Sequence, residues 1–491
     1  MARVARRSDL VLHLDQGVDG VAPRIAHALV SAIADGRLTE CDVVPPSRTL
    51  ATTLGVSRSA VVAGFEELVA CGFLEATPGG STRVAPGAGP AARAGVFARP
   101  VDPPSRESVP ERHSGAPIEF NLLPGRSDVS LLNRRDWRAA WRTATNASLD
   151  PQLIRPDTGV RSSVTDERLR RLRIQVVDHV RKYRGIVADA AADQVFVFPS
   201  VCGAVADIAD VVVPKGKTIA FEDPGYAKAR QALRMRGHRV RSVPVDRDGI
   251  CTDELSGDDA AVYVTPAHQY PLGGRMSADR RRRLSEWTVD SKAIIFEDDY
   301  DGEFRYDVPP TTALRGMRDM ADHIVYLGTT SKIINPDLRL TWAIVPPFVA
   351  DELRRRHTAD IDTVGALSID FVAEFLASGA VARHLASASR TYAARRNRFT
   401  DACHRHLPGV DVMGIDAGLH VVLSLDHAQA DDVALVHLLR RRGVACAALS
   451  TTYEDFARRR SGLICGYALL PETKSDAAAA LIAEAVLDHR S

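Results

Sequence analysis

Six short β-rich runs, separated by longer stretches with helical spacing, constrain the fold of this chain more than any other feature. The runs are Val195–Phe198, Thr218–Phe221, Ala261–Val264, Ala293–Phe296, Ile324–Leu327 and Thr341–Val345. Strands that alternate with helices form a mostly parallel sheet with helices on both faces. The sequence therefore predicts an α/β domain, and ligands in such domains bind beyond the carboxyl ends of the strands.

A different pattern occupies residues 1–86. Ile25 and the apolar residues four and eight positions later predict an amphipathic helix. Two shorter helical patterns follow, capped by Ser47 and Ser57, with the spacing of a helix-turn-helix. Two β-rich runs then flank the Pro-Gly-Gly-Ser stretch at 78–81, which indicates a hairpin. A helix-turn-helix followed by a hairpin is typical of a winged-helix DNA-binding domain.

The composition changes between the two patterns. The segment from Ala85 to Pro117 is rich in Pro, Gly, Ala and Arg and has almost no large apolar side chains. Such a stretch cannot bury enough surface to offset the entropy of ordering it. We therefore expect a winged helix-turn-helix domain at 1–86, a flexible linker at 87–116 and an α/β domain at 117–491.

Chemically active side chains follow two of the predicted strands. The run at 293–296 leads directly into Glu-Asp-Asp-Tyr-Asp at 297–301, where strand periodicity places Asp298 and Tyr300 on the same face. The run at 324–327 is followed by Lys332, and Arg339 comes seven residues later. An acidic cluster alone is typical of a solvated turn, and a Ser-Lys pair alone of a solvated loop. Together at this spacing they favour a pyridoxal phosphate site.

Each group has a role in that chemistry. The amine of Lys332 forms a Schiff base with the cofactor, and the Asp298 carboxylate keeps the pyridine nitrogen protonated. The Tyr300 phenol is suited to the ring hydroxyl. Arg339 can hold the phosphate together with the hydroxyls of Thr329 and Ser331.

The chain resembles the MocR group of GntR-type regulators, in which a winged helix is linked to a domain like that of fold-type I aminotransferases. The motifs that carry the resemblance are Pro46-Ser47-Arg48-Thr49-Leu50-Ala51, Leu54-Gly55-Val56-Ser57-Arg58-Ser59, Glu222-Asp223-Pro224-Gly225-Tyr226, Thr265-Pro266-Ala267-His268-Gln269-Tyr270-Pro271-Leu272-Gly273, Glu297-Asp298-Asp299-Tyr300-Asp301-Gly302-Glu303-Phe304 and Thr329-Thr330-Ser331-Lys332. The resemblance covers nearly the whole chain. It implies a pyridoxal phosphate-binding transcription regulator that forms a head-to-tail homodimer.

The resemblance also assigns residues to roles. These are Lys332 for the internal aldimine, Asp298 for the pyridine nitrogen, Tyr300 for the ring hydroxyl, Arg339 for the phosphate, Tyr226 for an aromatic near the ring, and His268 with Gln269 for the bordering loop. Tyr226 as a packing residue and the loop as purely structural remain alternatives.

The sequence departs from the family at three places. Members carry a Gly-Ala-Gln-Gln type phosphate loop, whereas this chain has Ser200, Val201 and Cys202 there, so backbone amides of the next helix and the Ser200 hydroxyl would bind the phosphate. Arg161 and Thr165 replace the family's tyrosine and glycine further upstream.

The third departure concerns the effector. Residues 463–467 occupy the region where many relatives hold a substrate carboxylate with an arginine, and no arginine aligns there. Arg460 is nearby, and a surface position explains it equally well. Either the effector is not a standard α-amino acid, or another group holds it.

The DNA-binding prediction depends on a few residues rather than on bulk charge. The first 86 residues contain eight arginines and nine carboxylates, a net charge near −1. Arg48, Ser57, Arg58 and Ser59 lie at helix starts that would face the duplex, and Gly80 lies at the wing tip. An arginine at the start of a recognition helix can read guanine in the major groove.

Composition excludes other classes. Lys and Arg number 63 against 62 acidic residues, so the net charge is +1 and a polybasic nucleic-acid coat is excluded. The seven cysteines have no metal-ligand spacing, so no zinc site is expected. We expect a cytoplasmic protein without a membrane helix, because the apolar runs are short and the N-terminus does not resemble a signal peptide.

Two alternatives to a sensing regulator stay open. One is an active aminotransferase that retains a vestigial DNA-binding module, since Lys332, Asp298 and Tyr300 suit both functions. The other is a degenerate site without cofactor. The effector of the regulator would be pyridoxal phosphate itself or an amine that displaces Lys332 from the aldimine.

Overall fold

A computed structural model describes residues 10–15, 17–76, 81–96, 117–150, 166–188, 194–306, 311–357, 364–425 and 431–490. The chain divides into two compact units, residues 1–114 and 115–491. Gly80, Arg161 and Thr165 lie outside the described residues. Within them, no helix is both long and apolar enough to cross a membrane.

The N-terminal unit contains the predicted helix-turn-helix and hairpin. Its elements are α1 Val21–Ala34, α2 Ser47–Leu54, α3 Arg58–Ala70, β1 Leu74–Glu75, β2 Arg83–Val84 and α4 Ala88–Val96. α2 ends at Gly55, whose φ of 65° is left-handed, and the Ser57 side chain caps α3 by accepting a hydrogen bond from the Ala60 amide. Ser47 is not a cap as predicted, because it is the first residue of α2 and Pro46 precedes it.

The hairpin forms a short antiparallel ladder. Leu74 pairs with Val84 and Glu75 with Arg83, and an isolated bridge adds Val43 beside Arg83. Leu74 and Val84 are buried with α1 residues such as Leu29 in one core. The described residues therefore place β1 and β2 behind the helix-turn-helix, as in a winged helix.

The predicted linker begins too early. Residues 88–96 form α4, and the side chains of Ala88 and Ala92 are buried in the same core as Ile25 of α1. Small alanines explain the error, because a segment with no large apolar residues can still pack when its helix lies close to another helix. The linker prediction is wrong for residues 88–96.

The C-terminal unit alternates helices and strands. Its helices are α5 Arg134–Ser148, α6 Asp166–Arg184, α7 Val201–Val212, α8 Ala227–Met235, α9 Ala278–Ser291, α10 Thr330–Ile333, α11 Pro347–His357, α12 Ala366–Ala377, α13 Ala380–His406, α14 Asp432–Arg441 and α15 Ser475–Arg490. Its strands are β3 Phe120–Asn121, β4 Val195–Phe198, β5 Thr218–Asp223, β6 Arg239–Asp246, β7 Gly249–Ile250, β8 Asp259–Val264, β9 Ile294–Asp298, β10 Ile324–Thr329, β11 Thr341–Ile344, β12 Asp411–Met413, β13 His420–Leu425, β14 Val444–Ala445, β15 Ala447–Ala448 and β16 Ser461–Gly466.

The large sheet has the order β4-β11-β10-β9-β8-β5-β6-β7. The pairings among β10, β9, β8, β5 and β6 are parallel, whereas β11 is antiparallel to both of its neighbours and β7 is antiparallel to β6. All six predicted strands are present, so the prediction of a mostly parallel α/β sheet is confirmed. β6 and β7 were not predicted, because β6 carries charged residues at both of its ends.

Each face of the sheet has its own core. Phe221 and Phe296 point into a core that includes Leu233 of α8, while Ile295 points into a second core with Leu284 of α9. A smaller sheet of order β12-β13-β16-β15 lies in the C-terminal part. Because both faces of the large sheet are covered, its strand ends are left to form a site.

The packing of α4 can be tested with a matched pair of substitutions. Ala92→Glu places a carboxylate in the core beside α1 and should destabilise the N-terminal unit by roughly 2–4 kcal/mol. Ala91→Glu changes an exposed neighbour on the same helix and should have an effect within about 0.5 kcal/mol. Hydrogen exchange of α1 amides in the full chain measures both, and equal protection in the two variants would contradict this packing.

Candidate functional site

The carboxyl ends of β9 and β10 form the centre of the candidate site. β9 and β10 are parallel neighbours with Leu327 opposite Asp298, so their carboxyl ends lie side by side. α10 begins immediately after β10 and contains Lys332. Parallel pairing therefore brings the lysine and the aspartate, 34 positions apart in the chain, to one edge.

Asp298 is buried, with 4% of its surface exposed. One carboxylate oxygen, Oδ2, accepts a hydrogen bond from the Tyr263 hydroxyl of β8. The other oxygen, Oδ1, has no hydrogen-bond partner among the described residues. Burial raises the pKa of Asp298 to about 7. The site thus presents an oriented carboxylate with one oxygen available to a cationic N–H group.

Lys332 faces the same edge. Its Nζ donates a hydrogen bond to the carbonyl oxygen of Gly125, and burial lowers its pKa. Gly125 has a φ of 72°, and a Cβ atom built there would lie 2.9 Å from Lys332 Nζ. Glycine is therefore required both for the backbone conformation and for the close approach of the amine.

A buried chain of polar side chains lies beside these two residues. The Tyr300 hydroxyl and His268 Nδ1 are 2.9 Å apart, and His268 Nδ1 is 3.1 Å from an oxygen of Asp301. His268 Nε2 is buried without a hydrogen-bond partner among the described residues. Burial raises the pKa of Tyr300 well above its ordinary value, so the phenol is protonated at neutral pH.

The start of α7 forms another side of the site. Ser200 is the N-cap and accepts a hydrogen bond from the Gly203 amide, and Val201 and Cys202 form the first turn. The Cys202 thiol is 3.8 Å from the Tyr226 hydroxyl, and the charge of Asp298 raises the pKa of both side chains after the larger effect of burial. The helix N-terminus, with its positive dipole end, therefore lies near the carboxylate and the tyrosine.

The predicted phosphate-binding residues that follow β10 are only partly brought together. The Thr329 hydroxyl accepts a hydrogen bond from the Ser331 amide and so caps α10, and the Ser331 carbonyl accepts one from Ser127. Arg339 follows the short 3-10 turn Pro336–Leu338, has a φ of 49° and is exposed. The contacts of Arg339 among the described residues do not test its predicted phosphate role, which stays a prediction.

Several residues at the site were not predicted from sequence. Tyr263 orients Asp298, Asp301 pairs with His268, and Glu222 accepts a 2.6 Å hydrogen bond from the Thr265 hydroxyl. The signal for Tyr263 was weak, because a tyrosine in an apolar strand is usually a packing residue. Asp301 was part of the acidic run, but no local pattern indicated that His268, 33 positions earlier, would be its partner.

The residues fit pyridoxal phosphate. Asp298 Oδ1 is the unpaired buried acceptor that a protonated pyridine nitrogen requires, and Lys332 provides the amine at the same edge. The Tyr300 phenol can donate to a ring oxygen, and the N-terminus of α7 can accept a phosphate. The fit depends on a matched set of groups rather than on one motif.

The predicted DNA-contacting residues lie at helix starts in the N-terminal unit. Arg48, in the first turn of α2, and Arg58, the first residue of α3, are exposed, and so are Ser57 and Ser59. The Ser57 and Ser59 hydroxyls are 3.0 Å apart, which fixes the turn before α3. Two arginines at the starts of consecutive helices can contact bases and phosphates of a duplex.

Comparisons with known families match both units. A model of the aminotransferase class I and II family matches residues 147–482, and a model of the gntR family of bacterial regulatory proteins matches residues 22–84. The C-terminal fold is similar to that of an archaeal alanine:glyoxylate aminotransferase, with a TM-score of 0.67 and 21% identity over 75% of this chain and 91% of that chain. Fold and site together define a winged helix joined to a fold-type I aminotransferase-like domain.

Relatives match the chain along most of its length. It is 33% identical over 435 residues, 89% of each chain, to the HTH-type pyridoxine biosynthesis transcriptional regulator PdxR of Corynebacterium glutamicum. It is 30% identical over 468 residues to the probable rhizopine catabolism regulatory protein MocR of Rhizobium meliloti, covering 93% of this chain and 92% of the relative. The chain belongs to the MocR subfamily of GntR-type transcription regulators, and pyridoxal phosphate is the cofactor that its aminotransferase-like domain implies.

The role of Lys332 can be tested by absorbance. Lys332→Ala should lose the visible band that pyridoxal phosphate acquires when its aldehyde joins a protein amine, because the amine is removed. Lys215→Ala removes an exposed lysine and should keep the band. A band of equal intensity in Lys332→Ala would show that another residue carries the cofactor.

The buried carboxylate predicts a pH dependence. Only ionised Asp298 can pair with the protonated pyridine nitrogen, so cofactor affinity should fall as the pH decreases through the Asp298 pKa of about 7, by at most about tenfold per pH unit. Protonation of Lys332 acts in the same direction. Dissociation constants from absorbance titrations between about pH 6 and pH 8 measure the slope. Asp298→Asn should bind more weakly with a shallower slope, and an unchanged slope would contradict this assignment.

Proposed function

We propose that the aminotransferase-like domain is the sensor of this regulator, with ligand binding at Lys332 controlling how the protein binds its operator. The observation that carries the proposal is that both sets of residues are present in one chain. The buried Asp298 and the half-buried Lys332 lie at one edge of the sheet, while Arg48 and Arg58 are exposed at the starts of α2 and α3. An enzyme alone would not need the second set.

Each residue of the sensor has a separate task. Bound pyridoxal phosphate supplies an aldehyde that can join an amine and a ring that withdraws electrons. Asp298 holds a proton at the pyridine nitrogen, and Tyr263 fixes the rotamer of Asp298. Tyr300 donates to the ring hydroxyl, and His268 with Asp301 fixes the direction of that phenol. Burial lowers the pKa of Lys332, which favours the neutral form of the amine that reacts with the aldehyde.

The effector in this proposal is pyridoxal phosphate itself or an amine that takes the place of Lys332 on the cofactor. A ligand shifts a conformational equilibrium only when it binds one state more tightly than the other. The contact of Lys332 Nζ with the Gly125 carbonyl supports such a difference, because it would be available only to an amine that is not joined to the cofactor.

The proposed active form is a homodimer with two winged helices. The N-terminal region has a net charge near −1, so a single copy has few phosphate contacts. Two copies that bind together multiply modest affinities through their effective concentration. Light scattering of the full chain measures the oligomeric state, and a monomer at operator-binding concentrations would contradict this part.

DNA binding gives the direct test. Arg58→Ala should weaken binding of the full chain to its own promoter region by about 1–3 kcal/mol if the guanidinium contacts a base. Arg93→Ala removes the same charge from an exposed position of α4 and serves as the matched control, with a much smaller expected effect. Mobility-shift titrations measure both, and equal losses would remove α3 from the recognition surface.

The sensing step is tested in the same assay. Operator affinity of the full chain should change on addition of pyridoxal phosphate, and Lys332→Ala should show no such change. Rapid multiple-turnover conversion of amino acids into keto acids, with no effect of pyridoxal phosphate or amines on DNA binding, would instead favour an aminotransferase.

A further inference from the structure

The loop from Leu122 to Asp128, called here the β3 loop, is anchored on one side to the C-terminal sheets. The Leu122 amide donates a 2.7 Å hydrogen bond to the Ala445 carbonyl, and the Gly466 amide donates a 2.8 Å bond to the Leu122 carbonyl. A Cβ atom on Gly466 would lie 2.5 Å from the Leu123 carbonyl oxygen, so β16 and the loop are in close contact. The start of the loop therefore has a fixed position.

The other end of the β3 loop is anchored at the candidate site. The Gly125 carbonyl accepts the hydrogen bond from Lys332, and the Ser127 hydroxyl donates to the Ser331 carbonyl at 3.3 Å. The Asp128 amide donates a 2.9 Å bond to the Tyr392 hydroxyl. Residue 126 is thus held between two neighbours that both contact the segment carrying the reactive amine.

Arg126 occupies that position, and its guanidinium is available. The residue is exposed, and among the described residues it has no ion pair. Its positive charge contributes to lowering the Lys332 pKa, after the larger effect of burial, so the guanidinium lies within electrostatic range of the amine. An arginine held next to a reactive amine, without an ion-pair partner among the described side chains, can bind a ligand anion.

The strand β16, which contacts the start of the β3 loop, offers no such group. Leu463, Ile464 and Cys465 of β16 are fully buried, and Ile464 packs in an apolar cluster with Val422 and Leu449. The nearby Arg460 is exposed, and its charge acts on Tyr453. β16 is therefore apolar in the region where many relatives carry a carboxylate-binding arginine.

A second cation near Lys332 has a different location. Lys228 lies in the first turn of α8 and contributes to lowering the pKa of Cys202 as well as that of Lys332. Cys202 is in the first turn of α7, the proposed phosphate side. Lys228 is thus placed to assist in binding the cofactor phosphate. Arg126 lies elsewhere, on the β3 loop.

We propose that Arg126 binds the anionic group of the effector, and that the effector is a carboxylate-bearing amine. The proposal rests on the proposed sensing function and names the ligand class of that same site. The planar guanidinium matches a carboxylate with two parallel hydrogen bonds, and the amine of the same ligand reaches the position of Lys332. The β3 loop thereby replaces β16 as the source of the anion contact.

Matched ligand pairs test this inference on the full chain loaded with pyridoxal phosphate. The pairs are L-alanine with ethylamine and 4-aminobutyrate with propylamine, which differ by the carboxylate. The visible absorbance change gives a dissociation constant for each ligand. In the wild type, the carboxylated member of at least one pair should bind about tenfold or more tightly, since hydrogen bonds to charged groups contribute about 1.5–3 kcal/mol.

For each variant, the quantity compared is the ratio of the two dissociation constants within a ligand pair. Arg126→Met should bring this ratio close to one, and Arg126→Lys should give an intermediate value, because lysine keeps the charge without the planar fork. Arg135→Met removes an exposed arginine of α5 and should keep the wild-type ratio. Using a ratio separates the carboxylate contact from general effects on the fold.

Other outcomes overturn the inference in recognisable ways. A wild type that carries the cofactor band but shows no preference in either pair would refute the role of Arg126 and leave the cofactor site intact. Loss of the band in both Arg126 variants, but not in Arg135→Met, would show that Arg126 binds the cofactor phosphate instead. A wild type without any cofactor band would overturn the proposed function itself.

Discussion

The carboxylate of Asp298 is buried at the end of a central strand, and the rest of the candidate site depends on how that group is oriented. Burial without a partner would cost several kcal/mol or force the group to stay protonated. The Tyr263 hydroxyl from the adjacent strand satisfies one oxygen and directs the other into the site. A parallel sheet makes this contact possible, since β8, β9 and β10 end side by side.

The acidic residues on either side of Asp298 are stabilised by different partners. Glu297 accepts 2.7 and 3.0 Å hydrogen bonds from the amides of Leu314 and Arg315. Asp299 forms a buried ion pair with Arg184 and accepts a 2.7 Å bond from the Tyr326 hydroxyl. Buried pairs of this kind contribute little net stability, but removing one partner is costly. They fix the turn that carries Tyr300 to the site.

Much of this arrangement could be predicted from local patterns. The six strands were found because short β-rich runs alternate with helices, and alternation along β9 correctly separated Asp298 from Glu297 and Asp299. The α4 helix was missed because alanine-rich segments give no strong periodic signal. Tyr263, Asp301 and Gly125 were missed because their importance comes from partners 33 to 207 positions away.

The sequence by itself determined the two kinds of domain, six strands of the large sheet, and the choice of Lys332 and Asp298 as candidate site residues, because periodicity and short motifs are local properties of the chain. Tertiary structure alone decided which groups meet. It placed the β3 loop against Lys332 and left Arg126 exposed, without an ion pair among the residues that the structure describes. The physical reason is that distances between side chains from different strands and loops depend on sheet pairing and packing, which no local pattern encodes.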